Sequence, residues 1–276
     1  MRHDEGMCYF VCDPLMPELP EVETVARGLR RTIVGRRILS VRLGKTDFID
    51  DPAALELHLP GRQIEAVERY GKFIAMRLDR GYLVVHLGMT GKQLNDAPLT
   101  KWTHAIFTLD EGTLHYDDQR QFGRIEYGAE LPERVAALGP EPLEISLADF
   151  TKRVKSRKAP IKAVLLNQAV VRGVGNIYAD EALFRAGVHP KQVAGSLSKP
   201  RIERIYNAMR EVLAEAIESR GSSVSNYVDA EGRKGSFQLA HRVYRRTGKP
   251  CVKCGTEIKR TLIAQRGTHF CPKCQR

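Results

Sequence analysis

The spacing of apolar residues changes as the chain advances. From Glu21 to Arg31, Val22, Val25, Ala26 and Leu29 recur at helical spacing and Gly35 lies just past the end, which predicts an amphipathic helix. Short segments of strand character follow at Ile38–Leu43, Ile64–Glu68, Phe73–Leu78, Tyr82–Leu87, His104–Leu109, Thr113–Tyr116 and Gly123–Tyr127. Gly61, Gly71, Gly81, Gly88, Gly91 and Gly112 punctuate them, and many short strands so divided predict an antiparallel sandwich or barrel. The pattern changes again near LGPEPL (138–143). Segments 147–156, 161–169, 176–186 and 200–219 read as helices, with the two-glycine turn VRGVGN (171–176) between the second and third. A glycine-rich loop (221–236) and a small cysteine-bearing module close the chain, and no internal repeat is visible.

The expected fold class is therefore α+β and multidomain: strands first, then helices, then a metal knuckle. The expected boundaries are 16–146 for the sandwich, 147–240 for the helical part with its loop, and 241–276 for the metal module. Residues 1–15 fit neither neighbour, and Cys8 and Cys12 within them read as incidental.

Charge alters this picture more than composition does. With 42% hydrophobic residues and a mean hydropathy of -0.33, the chain reads as globular. No apolar run reaches the roughly 18 residues that a membrane helix needs, and the first residues are not expected to act as a signal peptide. The formal net charge is +11. Residues 1–150 hold 18 basic and 24 acidic side chains, and residues 151–276 hold 26 basic and 9 acidic ones. From Arg242 to Arg276 ten basic residues face only Glu257. Such asymmetry points to a polyanion partner, most often nucleic acid.

Cys251 and Cys254 are two residues apart, as are Cys271 and Cys274, and sixteen residues separate the pairs. Each pair places two thiolates on one tight turn, so four sulfurs can close a tetrahedral structural zinc site. A module of about 35 residues buries little core, so the metal would supply its folding energy. Thr261–Ala264 and Thr268–Phe270 read as a hairpin turning at Arg266–Gly267, with Arg266 near its tip.

From Met16 onward the chain resembles the bacterial formamidopyrimidine-DNA glycosylases. The residues that carry the resemblance are MPELPEVET (16–24), HLGMTG (86–91), RQFG (120–123), GVGNIYADEALFRAGVHP (173–190) and AQRGTHFC (264–271) within the four-cysteine finger. The start motif separates it from the endonuclease VIII relatives. The resemblance implies a β-sandwich, a helix-two-turns-helix domain and a zinc finger, with DNA across the cleft. It also implies removal of oxidised purines (8-oxoguanine, formamidopyrimidines) from double-stranded DNA, followed by cleavage at the abasic site. The expected protein is cytoplasmic and monomeric, and holds one structural zinc ion with no redox cofactor or catalytic metal.

By this resemblance Pro17 is the nucleophile and Glu18 the general acid/base on the opening sugar. An α-amino group has a reference pKa near ~8 against ~10.4 for lysine, so far more of it is unprotonated at neutral pH. Lys72 would sit close to the reaction, contacting phosphate and assisting elimination. Arg266 would grip phosphates. A guanidinium is a poor proton donor at neutral pH, so electrostatic stabilisation is its expected role. His86, His104, Arg157, Lys162 and Asn176 match DNA-contact positions, and the N–H groups at the helix start behind Asn176 would hold a phosphate. Met89, Arg120 and Phe122 would fill the gap left by the extruded base. Residues 222–238 correspond to a lesion-capping loop whose glycines suggest mobility.

Three departures from the family pattern stand out. Pro17 inside a longer chain is a tertiary amide without a basic lone pair, so the functional start is expected at Met16 and residues 1–15 are expected to be absent from the working protein. Trp102 stands where histidine is frequent, and Gln121 where a second basic residue is. Two alternatives stay open on the sequence: an endonuclease VIII-like enzyme for oxidised pyrimidines, and a non-catalytic zinc-dependent binder of damaged DNA.

Overall fold

The computed structural model describes residues 16–224 and 227–276. The expectations for residues 1–15 lie outside them.

Helix α1 (Leu19–Thr32) opens the described chain and serves two cores at once. Its first apolar residue, Leu19, packs into the helical core, whereas Val22, Val25, Ala26 and Leu29 pack into the sandwich core. Then come β1 (Ile38–Leu43), α2 (Pro52–His58), β2 (Ile64–Tyr70), β3 (Phe73–Leu78), β4 (Tyr82–His86), β5 (Gly91–Asn95), β6 (Thr103–Leu109), β7 (Thr113–Asp118) and β8 (Arg124–Gly128). They form two four-stranded antiparallel sheets, β1-β6-β7-β5 and β2-β3-β4-β8. Alternating apolar side chains, among them Ile74, Met76, Leu83, Val85, Phe107 and Tyr116, fill the space between them.

The chain then leaves the sandwich through the short α3 (Glu133–Ala136). The helical part comprises α4 (Leu147–Lys155), α5 (Ile161–Leu166), α6 (Asn176–Ala186) and the long α7 (Lys199–Glu218). The hairpin β9 (Lys259–Ile263) and β10 (Arg266–Phe270) carries the finger. The finger's small core borrows Phe184 from α6, and Gln275 donates to the Val188 carbonyl at 3.0 Å, so the finger is tied to the helical part. No helix among the described residues is long and apolar enough to cross a membrane.

Besides the one-turn α3, which the sequence did not predict, the structure departs from the expected elements in four places. The first is α2, which has a start signal in Asp51, whose side chain accepts from Ala54 N at 2.9 Å, but too few residues to show a period. The second is β5, GKQLN, which is too polar to read as a strand and exists because β7 pairs with it. The third is α5, which stops at Leu166 because Asn167 takes extended backbone (ψ 109). The fourth is the finger hairpin. It turns at Ala264–Gln265, both at positive φ (50 and 57), and not at Arg266–Gly267. That is the geometry of a two-residue primed turn, formed without glycine, and it makes Arg266 the first residue of β10.

Candidate DNA-lesion site

A cleft of about 410 Å³ opens where the sandwich, the helical part and the finger meet, lined among others by Met16, Glu18, Lys72, His86, Gln168, Asn176 and Arg266. Pro17 is buried between Met16 and Glu18. Five of the residues singled out from sequence, Glu18, Lys72, His86, Asn176 and Arg266, thus face one space from three parts of the chain.

Glu18 precedes α1 and its carboxylate reaches the start of α6. It accepts from Ile177 N at 2.9 Å and Tyr178 N at 3.4 Å, where the helix dipole favours negative charge. Gly175 makes this approach possible, since a Cβ there would lie 2.2 Å from Glu18 Cδ. The two-glycine turn 171–176 is therefore a seat for Glu18. This corrects the expectation that these N–H groups hold a phosphate, because Glu18 occupies two of them. Burial pushes the Glu18 carboxyl up, against the pull of Lys72 and of the backbone donors. Lys72 forms the hairpin between β2 and β3. Burial lowers its pKa, with Glu18 opposing and Arg266 adding to the fall. His86 is pushed down to about 4 by burial, with Lys72 beside it. Its Nδ1 accepts from Gly88 N at 3.2 Å, so a neutral ring carries its proton on Nε2 and offers one donor. Asn176 donates through Nδ2 to the Gly267 carbonyl at 3.0 Å and so ties α6 to the strand that begins with Arg266.

Met89 lies on the loop between β4 and β5, and Arg120 and Phe122 on the loop between β7 and β8, and none of the three lines that cleft. Phe122 is 55% exposed and the Arg120 guanidinium lies 4.8 Å above its ring. Core packing therefore does not account for Phe122. Arg157 is exposed in the segment after α4.

Two further expectations are corrected. Lys162 is fully buried, its Nζ 2.7 Å from Asp180 Oδ1 and donating to the Gly267 carbonyl (3.0 Å) and Thr268 Oγ1 (2.8 Å). An ammonium enclosed in this way joins α5 and α6 to β10 and does not reach a phosphate. His104 is buried against Phe48, and its Nε2 donates to the Asp118 carbonyl at 3.0 Å, so it is an internal support. The described part of loop 222–238 is also more tied than its glycines suggest. Ser222 N donates to Glu21 Oε1 at 2.6 Å, Tyr227 Oη donates to the Glu21 carbonyl at 3.2 Å, and Ala230 packs into the sandwich core.

Glu21, Asp118 and Asp180 are buried polar residues that the sequence reading passed over. Glu21 accepts from Tyr178 Oη (2.5 Å), Ser222 N (2.6 Å) and Glu18 N (2.9 Å). Burial and the nearby Glu18 push it up to about 7. Its signal was legible, since an acidic residue three positions into a helix is a capping pattern.

The finger's donor set fits zinc. The Cys254–Cys271 and Cys251–Cys274 sulfurs lie 3.5 and 3.9 Å apart, and all four are within 4.8 Å of one another. A tetrahedron of ~2.3 Å Zn–S bonds spaces its sulfurs by about 3.8 Å.

Comparison with known proteins agrees over the whole described chain. Family models match residues 16–125 (formamidopyrimidine-DNA glycosylase N-terminal domain), 138–228 (its H2TH domain) and 248–276 (a zinc finger found in FPG and IleRS). A formamidopyrimidine-DNA glycosylase of Solibacter usitatus is 55% identical over 264 residues, covering 95% of this chain and all of the relative. One of Symbiobacterium thermophilum is 45% identical over 272 residues, 94% of this chain and 89% of the relative. The crystal structure of the MutM (Fpg) protein of Thermus thermophilus superposes with a TM-score of 0.86 at 43% identity, covering 94% of this chain and 98% of that one. The complex of Lactococcus lactis Fpg with abasic-site DNA gives 0.86 at 36% identity, 94% of this chain and 99% of that one. A sandwich, an H2TH domain and a four-cysteine zinc finger in this order, matched along their full length, place the chain in the formamidopyrimidine-DNA glycosylase family.

Proposed function

We propose that this protein is a bifunctional base-excision repair enzyme of the bacterial cytoplasm, acting as a monomer. It removes oxidised purines from double-stranded DNA through a Schiff base at Pro17 and then cuts the strand by β,δ-elimination. The observation that carries this reading is the meeting of Glu18, Lys72 and Arg266, from three parts of the chain, in one cleft beside Pro17. The Lactococcus lactis neighbours were solved with DNA containing Fapy-dG or an abasic site.

In this reading the Pro17 nitrogen attacks C1′ of the damaged nucleoside and the base departs. Glu18, held protonated more readily than an exposed carboxyl, donates to the ring oxygen as the sugar opens. The resulting iminium acidifies C2′. Loss of that proton expels the 3′ phosphate, and the second elimination expels the 5′ phosphate. Lys72 and Arg266 stabilise the charge of the departing phosphates. The finger zinc would be held by Cys251, Cys254, Cys271 and Cys274 and would keep β10 folded. His86, Asn176 and Arg157 contact the backbone, and Met89, Arg120 and Phe122 fill the stack. Working domains of 16–146, 147–240 and 241–276 follow, with α1 shared between the first two cores.

The reading requires Pro17 to be a free secondary amine, and hence a start at Met16 with that methionine removed. The test combines intact-mass measurement of protein made from its native gene with borohydride trapping on duplex DNA carrying 8-oxoguanine opposite cytosine. The expected result is a covalent adduct that maps to Pro17. Specific binding without any adduct in Met16-start protein would establish the binder instead, and full activity with residues 1–15 retained would overturn the role of Pro17.

A further inference from the structure

The two loops that carry Met89, Arg120 and Phe122 are set by sheet register. Strand β4 pairs with β8 so that His86 opposes Arg124, and β5 pairs with β7 so that Gly91 opposes Asp118. Segments 87–90 and 119–123 are therefore neighbouring crossings from one sheet to the other, spanning the same gap. They touch backbone to backbone. A Cβ at Gly88 would lie 2.4 Å from the Phe122 carbonyl carbon and 2.5 Å from Gly123 N.

One carboxylate binds both crossings. Asp118 is fully buried. Its Oδ1 accepts from Thr90 Oγ1 (2.5 Å) on the first loop and from Arg120 N (3.2 Å) on the second. Its Oδ2 accepts from Gly123 N (2.9 Å) and from Tyr116 Oη (3.3 Å). Thr90 Oγ1 in turn accepts from Arg120 N at 2.9 Å. The backbone of Asp118 is fixed as well, its N–H donating to the Trp102 carbonyl at 2.9 Å and its carbonyl accepting from His104. A buried carboxyl group needs hydrogen-bond partners around it, and here the donors come from both loops. The N–H groups of Arg120 and Gly123 bracket Gln121, which is held at φ 55, a region that L residues other than glycine avoid. With that bend, the Arg120 guanidinium and the exposed Phe122 ring lie together at 4.8 Å.

We propose that Asp118 is a positioning residue for base extrusion: it locks the two crossings together and so presents Met89, Arg120 and Phe122 as one rigid wedge, with Thr90 as its partner. The inference rests on the proposed function and deepens it. It separates two steps, because a base must leave the stack before excision, whereas a preformed abasic site has no base to extrude.

The test uses zinc-loaded protein from its native gene. Single-turnover excision of 8-oxoguanine is compared with strand cleavage at a preformed abasic site, and 2-aminopurine beside the lesion reports unstacking. Asp118→Asn turns one acceptor into a donor facing donors. It is expected to slow excision and the 2-aminopurine signal by roughly tenfold or more while abasic-site cleavage changes less than about threefold. Thr90→Val, which keeps the shape of the side chain and removes its hydroxyl, covers the case in which Asp118→Asn does not fold. It should slow excision in the same selective way, and Thr90→Ser should restore it. Equal losses in both reactions, or no loss in a folded variant, overturns the proposal. Wild-type protein that excises nothing overturns the functional reading instead.

Discussion

The sandwich and the helical part are each organised by one buried ionisable side chain, an acidic one in the first and a basic one in the second. On the sandwich side Asp118 gathers hydroxyls and backbone N–H groups from two loops of one domain. On the helical side Lys162 gathers Asp180, the Gly267 carbonyl and Thr268 Oγ1, and thereby joins α5 and α6 to the strand that begins with Arg266. The anion is satisfied by neutral donors within its own fold. The cation is half of an ion pair that bridges two parts of the chain. Buried pairs of this kind do little for net stability, yet removing one partner is severe because the other is left uncompensated. The sandwich side should therefore fail locally, and the helical side should fail by losing its grip on the finger.

Removal of the finger metal gives the largest expected effect. Structural zinc in small fingers contributes on the order of 10–16 kcal/mol of folding free energy, far more than the finger's small core can supply. Replacing Cys274 with serine should abolish both zinc retention and strand cleavage while the two large cores still melt cooperatively. Metal analysis beside a thermal scan and a cleavage assay measures this. Full activity in metal-free protein would show that Arg266 is placed without the finger, and the contrast between the two sides would collapse.

The ion pair comes next. Lys162→Met leaves Asp180 buried with its other oxygen against His269, and should cost about 3–5 kcal/mol in urea unfolding. Lys162→Met combined with Asp180→Asn should recover a good part of that loss, which a double-mutant cycle reads directly. A single substitution costing less than about 1 kcal/mol would mean that the pair does not hold the interface.

Lys162 also shows where sequence reading ends. Most strands were legible because alternation and glycine punctuation are local, and β1 and β3 fall on the expected residues. The zinc ligands were legible because a chelate spacing is local too. Lys162, His104 and Arg157 are equally polar in sequence. What separates them is burial by segments far along the chain, Gly267 and Thr268 for Lys162 and Phe48 for His104. Asp118 had no signal at all, since its donors come from two crossings whose adjacency is a matter of sheet register. The seat of Glu18 was half legible: the glycines of the 171–176 turn could be read, but the carboxylate they admit could not.

Glu21 provides a pH test on the seam between the two sides, since it ties α1 to α6 and to Ser222. Its carboxyl is raised from 4.5 to about 7, so between those values the folded state binds more protons than the unfolded chain. Stability from this group is therefore lost as pH rises from about 4.5 to 7 and is level above that. His86 and His241, both lowered to about 4, act oppositely and gain stability as pH rises from about 4 to 6.5. Their shares cancel when a variant is compared with wild type. Across pH 4.5 to 8, Glu21→Gln should gain up to about 3 kcal/mol relative to wild type. A difference that stays flat over this range would place the Glu21 titration near that of an ordinary carboxyl.

The smallest expected effect discriminates best. Arg157 and Lys162 both match phosphate-contact positions in sequence, but Arg157 is exposed and Lys162 is enclosed. Each cation that neutralises a DNA phosphate releases counterions, and its removal lowers the slope of log K against log salt by about 0.9. Arg157→Ala should weaken duplex binding only several-fold and reduce that slope by about one. Lys162→Met, measured at a temperature where it stays folded, should leave the slope unchanged even if affinity falls, because the lost charge never met the DNA. A slope change of about one for Lys162→Met would mean that the buried ammonium emerges when DNA binds. The bridge to β10 would then be an arrangement of the free protein alone.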